Sequence, residues 1–285
     1  MNKAHSSGRH GIARLLLPDY VDEPQLDLRV VRWIHPVVER LLSAYFRLEV
    51  EGFDNVPSGS AILVCNHNSG ISFTEPFAIS ARWYRERGTD DRIYCMVHDA
   101  MMMLPGLRRL LVGFGCVRAS RDTCERVLQR GEKVLAFPGG NIEAFRKWSR
   151  RNKIDFAGHK GFVRLALKYG VPIIPVVAVG GHETFVVLHE GRALARALRL
   201  PQILRSDMCP VFLGLPWGIG FGPVFHFPLP AKQRVRVLDP IPVDAHKPED
   251  ADNPAVVDAL YNRVVSSMQT TMDEMAAERR WPVLG

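Results

Sequence analysis

The feature of this 285-residue chain that most limits its fold is the alternation of short apolar runs with longer amphipathic segments. Four apolar runs, Ala61–Cys65, Ile93–Val97, 133–137 and 172–179, have the length and composition of buried strands. Segments with helical periodicity lie between them. Strand, helix and strand repeated in this order predict an α/β fold, with a mainly parallel central sheet flanked by helices.

The sequence predicts one domain over residues 21–285, preceded by a flexible N-terminal tail over residues 1–20. No internal repeat and no low-complexity linker divides the chain. With 47% hydrophobic residues, a chain of this length can bury a full core. The N-terminus is basic, but its apolar stretch is too short for a signal peptide, so no export is expected.

Two apolar segments suggest contact with a membrane surface. From 28 to 48, apolar residues recur at helical spacing opposite arginines, which predicts an N-terminal amphipathic helix with a kink at Pro36. Such a helix either packs on its own domain or lies on a bilayer. Residues 209–230 are apolar and aromatic but broken by prolines and glycines, which excludes a regular helix. This second segment either lines an apolar channel or dips into the bilayer interface. The sequence has no window of 18 uncharged apolar residues, so a spanning helix is not expected.

The charge balance predicts anionic partners. Lysines and arginines exceed acidic residues by 37 to 30, which gives a net charge of +7 and a pI near 9.3. The basic cluster at 146–153 is interleaved with Trp148, as in some RNA-binding surfaces. No strand carries the aromatic pattern of an RNA-recognition motif, so an anionic membrane surface is expected and nucleic acid is not. The five cysteines lack metal-ligand spacing, which predicts reduced thiols and no metal site.

Polar residues crowd at the end of the first apolar run, where Asn66, His67 and Asn68 follow Cys65. Open α/β sheets keep ligands and catalytic groups at the carboxyl ends of their strands. Histidine is the side chain best suited to proton transfer near neutral pH. His67 is therefore the first candidate for a general base, and the alternative is a histidine with a structural role only.

Two further groups of residues fit the same pattern. After the run at 133–137, Gly139 and Gly140 allow backbone N–H groups to face a phosphate or a developing oxyanion, and Glu143 follows them. Taken alone, a Pro-Gly-Gly sequence is more often only a turn. Arg118 and Arg121 stand just before a predicted helix, and guanidinium groups suit bidentate recognition of phosphate.

Several motifs occur in a fixed order along the chain: Asn-His-Asn-Ser at 66–69, Gly-Cys-Val-Arg-Ala-Ser-Arg at 115–121, Phe-Pro-Gly-Gly at 137–140, and the segment 160–176. In this order they resemble the glycerolipid acyltransferases of the lysophospholipid acyltransferase superfamily. The resemblance covers about residues 45–245. It is greatest to the diacylglycerol acyltransferase-like, or phytyl-ester-synthase-like, branch and its bacterial homologues.

The resemblance implies a role for each matching position. His67 matches the catalytic histidine, the base that takes a proton from an acceptor hydroxyl as that oxygen attacks an acyl thioester. Arg121, with Arg118 near it, matches the motif that in relatives holds a phosphate of the acceptor. The third motif, here Pro-Gly-Gly rather than Pro-Glu-Gly, is matched by Gly139, Gly140 and Glu143.

The resemblance also implies partners and a location. Such an enzyme needs no metal or bound cofactor and uses acyl-CoA or acyl carrier protein as co-substrate. Lys160 and the basic cluster at 146–153 are expected to attract CoA phosphates or anionic lipid, and 209–230 to receive acyl chains. The expected location is the cytoplasmic face of a membrane, as a peripheral or monotopic protein.

The chain departs from the family pattern in the first motif. Five residues after His67, where relatives have an aspartate that orients the imidazole, this chain has Ser72. The nearest acid is Glu75, and we expect it to reach back to His67 as the orienting carboxylate. The alternative role of Glu75 is to stabilise the N-terminus of the following helix by its charge.

The expected function is transfer of a fatty acyl group from acyl-CoA or acyl carrier protein to the hydroxyl of a glycerolipid acceptor such as lysophosphatidic acid. The Pro-Gly-Gly form favours a neutral acceptor instead, diacylglycerol or a long-chain alcohol. Ser72 favours a third alternative, a degenerate lipid-binding membrane protein without catalysis. The acceptor, the acyl length and the oligomeric state are left open at this point.

Overall fold

The structure is a computed structural model, and it describes residues 17–68, 70, 74–203, 206–216, 218–222, 224, 227–281 and 283–284. These residues contain ten strands. They are β1 (Glu49–Glu51), β2 (Ala61–Cys65), β3 (Ile93–Val97), β4 (Cys116–Arg118), β5 (Lys133–Ala136), β6 (Ile173–Val179), β7 (Val186–His189), β8 (Val211–Gly214), β9 (Gly218–Phe221) and β10 (Arg234–Val237).

The same residues contain ten α-helices, and from β2 to β6 at least one of them separates each strand from the next. They are α1 (His35–Phe46), α2 (Thr74–Arg87), α3 (Asp99–Met102), α4 (Pro105–Gly113), α5 (Arg121–Gln129), α6 (Gly140–Ala144), α7 (Gly161–Tyr169), α8 (Arg192–Ala197), α9 (Leu200–Ile203) and α10 (Pro254–Ala277). A π-helical turn, Val30–Ile34, leads directly into α1. None of the helices in the described part of the chain combines the length and the apolar composition that a membrane crossing requires.

The central sheet has seven strands in the order β1-β10-β6-β2-β5-β3-β4. From β6 to β4 all neighbours are parallel, whereas β10 pairs antiparallel with β6 and β1 pairs parallel with β10. The predicted α/β fold with a mainly parallel sheet is therefore confirmed. Because β6, β2, β5, β3 and β4 run the same way, the loops after them meet at one edge of the sheet.

Strand β2 lies at the centre of the sheet and is completely buried. Successive side chains of a strand point to opposite faces. Ile62 and Val64 accordingly pack in the core that includes α5, α7 and α10, whereas Leu63 and Cys65 pack in the core that includes α2 and α4. Burial on both faces explains why this strand is a continuous apolar run rather than an alternating one.

The segment 209–230 forms structure that the sequence did not predict. Strands β8 and β9 make a hairpin, and with β7 they form a separate antiparallel sheet. Gly220 of β9 lies against the ring of Phe212, where a Cβ atom would be 2.4 Å from Cζ. A glycine that looked like a helix breaker is thus required by close packing between two strands.

The predicted N-terminal tail is too long. Residues 1–16 lie outside the described residues, but residues 17–20 are packed. Leu17 and Tyr20 lie against the same core as Val21, and Asp19–Asp22 forms a 3₁₀ turn. Burial of these apolar side chains fixes the segment, so the structured domain begins no later than Leu17.

Candidate active site

The loops after three neighbouring strands, β6, β2 and β5, form the candidate site. The loop after β2 carries Asn66, His67 and Asn68, which are all buried, and we call this segment the histidine loop. The predicted general base thus lies at the carboxyl end of the central strand, as expected for an open α/β sheet.

Two asparagine side chains attach the histidine loop to β6. The Asn66 amide accepts a hydrogen bond from Ala178 N (2.8 Å) and donates one to Ala178 O (2.9 Å). The Asn68 side chain donates to the same carbonyl (2.7 Å). These contacts continue the pairing of the sheet beyond the end of β2, and they fix the backbone on both sides of His67.

A glycine next to β6 allows this attachment. A Cβ atom on Gly181 would be 2.0 Å from Oδ1 of Asn68. A distance so short is a clash, so the loop after β6 can approach Asn68 only without a side chain at this position.

Two buried carboxylates hold the backbone of the histidine loop. Oε1 of Glu75 accepts a hydrogen bond from the Asn68 N–H (2.8 Å), and Oε2 of Glu143 accepts one from the His67 N–H (2.9 Å). Both glutamates are 1% exposed or less. A buried charge is costly unless it is paired or hydrogen-bonded, so these contacts account for the presence of the carboxylates and also restrain the loop.

The structure brings His67 and Glu75 together, as the sequence predicted. Nδ1 of His67 lies 3.7 Å from Oε2 of Glu75, and the side chain of His67 is 11% exposed. This separation is longer than a hydrogen bond, but catalytic contacts without substrate are often long. The ring of Phe137, after β5, lies 5.2 Å from the imidazole between centroids. Ser72, at the position where the family pattern has an aspartate, lies outside the described residues.

Glu143 belongs to a buried network under the Pro-Gly-Gly turn. A Cβ atom on Gly139 would be 2.4 Å from Oε2 of Glu143, so a glycine makes room for the carboxylate. Oε1 accepts a hydrogen bond from Asp155 N (3.0 Å) and lies 3.4 Å from Nη1 of Arg146. Burial raises the pKa of Glu143 to about 7, while the Arg146 charge and the backbone N–H groups act in the opposite direction.

Arg146 is a buried residue of the candidate site that the sequence did not place there. It was assigned to a surface cluster, but its side chain is 2% exposed and donates from Nε to Nε2 of His182 (2.9 Å). Burial, together with the Arg146 charge, lowers the pKa of His182 well below its usual range. The spacing of Glu143 and Arg146, three residues apart, was the only local signal that the two side chains could pair.

The backbone N–H of Gly140 does not point to a substrate, contrary to its predicted oxyanion role. The N–H of Gly140 donates to the Phe137 carbonyl (3.1 Å), so it closes the turn instead of facing a substrate. Gly140 has φ +50, a conformation that favours glycine. The geometry therefore supports a conformational role for Gly140 and does not support the oxyanion role that we predicted.

The three predicted phosphate ligands all have carboxylate partners. Arg118 forms a bidentate pair with Asp22, Arg121 pairs with Glu125 (3.0 Å), and Lys160 pairs with Asp258 (2.6 Å). Strand β4, which ends at Arg118, is three strands from β2, or about 14 Å at ~4.8 Å per strand. Arg118 and Arg121 thus lie at the same edge of the sheet as His67 but not beside it, and Lys160 lies against α10.

The amphipathic helix presents its apolar side outward. Its buried residues include His35 and Glu39, and the carboxylate of Glu39 binds Arg82 and Arg85 of α2. Burial lowers the pKa of His35 to about 4, and its ring stacks on Phe114. Polar partners on α2 therefore turn the helix so that its apolar side chains face away from the domain.

The hairpin carries further exposed apolar side chains. Tyr45 of α1 donates a hydrogen bond to the Pro228 carbonyl (2.8 Å), which connects the helix to the segment after the hairpin. We call the combined area the apolar surface. Its members are Leu28, Trp33, Ile34, Val37, Leu41 and Tyr45 near α1, and Leu213, Leu215, Ile219 and Phe221 in the hairpin, between 37% and 68% exposed.

Comparisons with known proteins point to one family. A family model described as Acyltransferase matches residues 47–179. An uncharacterized protein of Mycobacterium tuberculosis (strain H37Rv) is 29% identical over 271 residues, which cover 93% of this chain and 72% of that protein. Human diacylglycerol O-acyltransferase 2 is 31% identical over 178 residues, covering 59% of this chain and 46% of that enzyme.

A solved structure has the same fold. The crystal structure of the 1-acyl-sn-glycerophosphate (LPA) acyltransferase PlsC from Thermotoga maritima matches with a TM-score of 0.50 and 18% sequence identity. The match covers 89% of this chain and 83% of that one. At this identity the likeness concerns the fold alone.

Proposed function

We propose that this chain, which belongs to the glycerolipid acyltransferase superfamily of O-acyltransferases, transfers a fatty acyl group from a thioester to a lipid hydroxyl with His67 as general base. The observation that carries the proposal is the position of His67. It lies at the carboxyl end of the central strand, its backbone is held on both sides, and its Nδ1 lies 3.7 Å from the buried carboxylate of Glu75.

The proposed step needs only one proton carrier. Nε2 of His67 takes the proton of the acceptor hydroxyl while that oxygen attacks the thioester carbonyl, and a tetrahedral intermediate forms. The intermediate collapses, the carbon–sulfur bond breaks, and the thiolate receives the proton from the imidazolium. An ester and a free thiol are the products, so no oxidant, reductant or metal enters the balance.

Glu75 is the proposed orienting group. A carboxylate next to Nδ1 keeps the proton on that nitrogen, makes Nε2 the nitrogen that accepts the proton of the acceptor, and stabilises the imidazolium that forms. Its other oxygen is fixed by the Asn68 N–H, so the carboxylate needs no reorganisation during the step. Relatives have an aspartate five residues after the histidine; here the acid comes from the first turn of α2.

The acyl donor is proposed as acyl-CoA or acyl carrier protein. For the acceptor, lysophosphatidic acid is the candidate that the motif with Arg121 favours. A second candidate is a neutral acceptor, diacylglycerol or a long-chain alcohol. The carboxylates on Arg118, Arg121 and Lys160 favour the neutral acceptor, because a phosphate would have to displace one of them.

The apolar surface supports a peripheral or monotopic location on a membrane, which we propose to be its cytoplasmic face. Large apolar side chains such as Trp33 (68% exposed) and Ile219 (60%) are accessible to solvent on this surface. Exposed apolar areas of this kind are typical of sites that contact a membrane or another protein. The net charge of +7 adds attraction to an anionic lipid surface.

Thiol release from palmitoyl-CoA tests this function. Purified protein is given lysophosphatidic acid, monoacylglycerol, diacylglycerol or a fatty alcohol, and the ester product is identified by mass spectrometry. His67→Ala should lower kcat by about 10³ or more, whereas His246→Ala, at a partly exposed histidine outside the site, serves as the matched control. Full activity of folded His67→Ala contradicts the mechanism. Vesicle binding without thiol release from any donor would favour the degenerate lipid-binding alternative.

A further inference from the structure

The N-terminal segment 17–24, which we call the N-terminal strap, lies across the end of β4. Val21 is 1% exposed and anchors the strap in the core. Next to it, the Asp22 carboxylate accepts hydrogen bonds from Nε and Nη2 of Arg118, in a bidentate pair. The strap is therefore positioned by apolar packing and places one carboxylate on one guanidinium.

The surroundings of Asp22 form an anion site. Besides Arg118, Oδ1 of Asp22 accepts a weak hydrogen bond from the hydroxyl of Thr123 (3.4 Å). Thr123 lies in the first turn of α5, and the N-terminus of a helix carries partial positive charge. A guanidinium fork, a hydroxyl and a helix N-terminus also suit a phosphate group, whose oxygens accept the same donors.

Two further arginines, Arg126 and Arg130, contact the strap, so Asp22 alone does not neutralise the positive charge around it. Arg126 donates to the Asp22 carbonyl (3.0 Å) and to Glu23 (3.1 Å), and Arg130 donates to Glu23 (3.0 Å). Arg126 and Arg130 share the single carboxylate of Glu23, so the strap, with two acidic side chains in these contacts, faces three arginines. Without the Asp22 carboxylate, the Arg118 guanidinium would lose its bidentate partner, although the charges of Asp99 and Asp122 also act on it.

We infer that Asp22 is a built-in anion that occupies the Arg118 site and excludes phosphate-bearing acceptors from it, so that the acyl acceptor is a lipid alcohol without a phosphate. A phosphate monoester would meet the Asp22 carboxylate at the donors that it needs, and like charges in contact oppose binding. The inference rests on the proposed function and specifies its acceptor class.

Binding of inorganic phosphate tests the site without any need for activity. Full-length protein is titrated by calorimetry as wild type, as Asp22→Ser, and as Asp22→Ser combined with Arg118→Gln. Asp22→Ser should bind phosphate at least about tenfold more tightly than the wild type, the factor expected for one charge-assisted contact. The double variant should lose this gain. Glu23→Gln is the matched control, because Glu23 contacts Arg126 and Arg130 but not Arg118.

Acylation of two acceptors with the same chain, lysophosphatidic acid and monoacylglycerol, gives the second test. The wild type should prefer monoacylglycerol, and Asp22→Ser should gain activity on lysophosphatidic acid. A folded Asp22→Ser that binds phosphate no better than the wild type overturns the inference, and so does a wild type that prefers lysophosphatidic acid. If Asp22→Ser fails to fold, Asp22→Asn removes the charge while keeping the shape. A failed proposed function would leave the calorimetric result intact.

Discussion

The histidine loop and the apolar surface are opposite exceptions to the usual distribution of residues. In the loop, two asparagines and a histidine are buried at the end of the central strand, and Glu75 and Glu143 are buried beside them. On the apolar surface, tryptophan, leucine, isoleucine and phenylalanine face outward. Buried polar groups and exposed large apolar patches are the two observations that most often carry information about function.

The difference lies in where the partners of these residues are found. Three polar groups of the loop are hydrogen-bonded within the chain: the Asn66 side chain to β6, the His67 N–H to Glu143, and the Asn68 N–H to Glu75. The apolar surface is left uncovered by the described part of the chain. Contacts within the chain therefore fix the position of the loop. The apolar surface is instead suited to a partner outside the protein, which we propose to be a bilayer.

Glu75→Gln tests the catalytic half of this comparison and should have the largest effect. The substitution removes the charge next to Nδ1 of His67 but keeps an oxygen for the Asn68 N–H. We expect kcat to fall by about 10² to 10⁴, roughly 3–5 kcal/mol of barrier, with a folded protein. The measurement is kcat for thiol release with the acceptor that the wild type uses.

A matched control lies on the same helix. Glu86→Gln also removes a glutamate charge from α2, but Glu86 is exposed and pairs with Arg82. Its kcat should equal that of the wild type. Equal kcat for Glu75→Gln and the wild type would mean that the Glu75 carboxylate only holds the backbone of the histidine loop and does not orient the imidazole.

Glu143→Ala should cost stability rather than reactivity alone. It leaves Arg146 buried without its carboxylate and removes the acceptor of the His67 and Asp155 N–H groups. Breaking a buried pair on one side costs about 3–5 kcal/mol, so the urea midpoint should fall markedly at an unchanged m-value. Glu249→Ala, at an exposed position, is the control. A loss below about 1 kcal/mol would show that the network contributes little to stability.

The pH dependence of the free energy of unfolding is a second test of the network around Glu143. The folded-state pKa of Glu143 is raised to about 7 from its ordinary value of 4.5, so between these values the folded state binds more protons than the unfolded chain. Its contribution must therefore fall as pH rises from 4.5 to 7, by roughly 2–4 kcal/mol in total, and stay constant above.

The comparison with Glu143→Gln isolates this contribution. The lowered pKa of His182 acts in the opposite direction, because the folded protein loses stability as the pH falls below the ordinary pKa of a histidine. His182 is present in both proteins, so this effect is common to them. The free energy of unfolding of the wild type minus that of Glu143→Gln should decline across the window. A difference that is flat or increases with pH would contradict the assignment.

The sequence predicted those parts of the site that depend on local patterns. Apolar runs identified β2 and its neighbours, and the polar residues after β2 identified His67. Glu75 followed from the family pattern and its nearness in sequence. All three signals lie within a few residues of the feature that they predict, so they are visible without a three-dimensional structure.

The misses depend on partners that are distant in sequence. Arg146 was expected to attract CoA phosphates or anionic lipid as part of a basic cluster, but it is buried and its partner His182 is 36 residues away. Arg118 looked like a phosphate ligand, but Asp22 binds it from 96 residues away. The orientation of α1 depends on the contact between Glu39 and Arg82 of α2. In each case the partner of a charged residue is distant in sequence and becomes a neighbour only in the folded chain. The periodicity of a sequence does not predict such contacts.

Trp33→Gln tests the other half of the comparison and should have the smallest effect. Trp33 is 68% exposed, so its replacement should change the free energy of unfolding by less than about 0.5 kcal/mol. Binding to vesicles should weaken by about ten- to hundredfold, because burial of a large apolar side chain in the interface contributes on the order of 1.5–3 kcal/mol. The measurement is cosedimentation with vesicles of phosphatidylcholine and an anionic lipid. Ala259→Gln, at an exposed position of α10, is the control, since α10 packs in the core on the other face of the central sheet. Vesicle binding of Trp33→Gln equal to that of the wild type would separate the apolar surface from the membrane, and its exposed side chains would then need a partner of another kind.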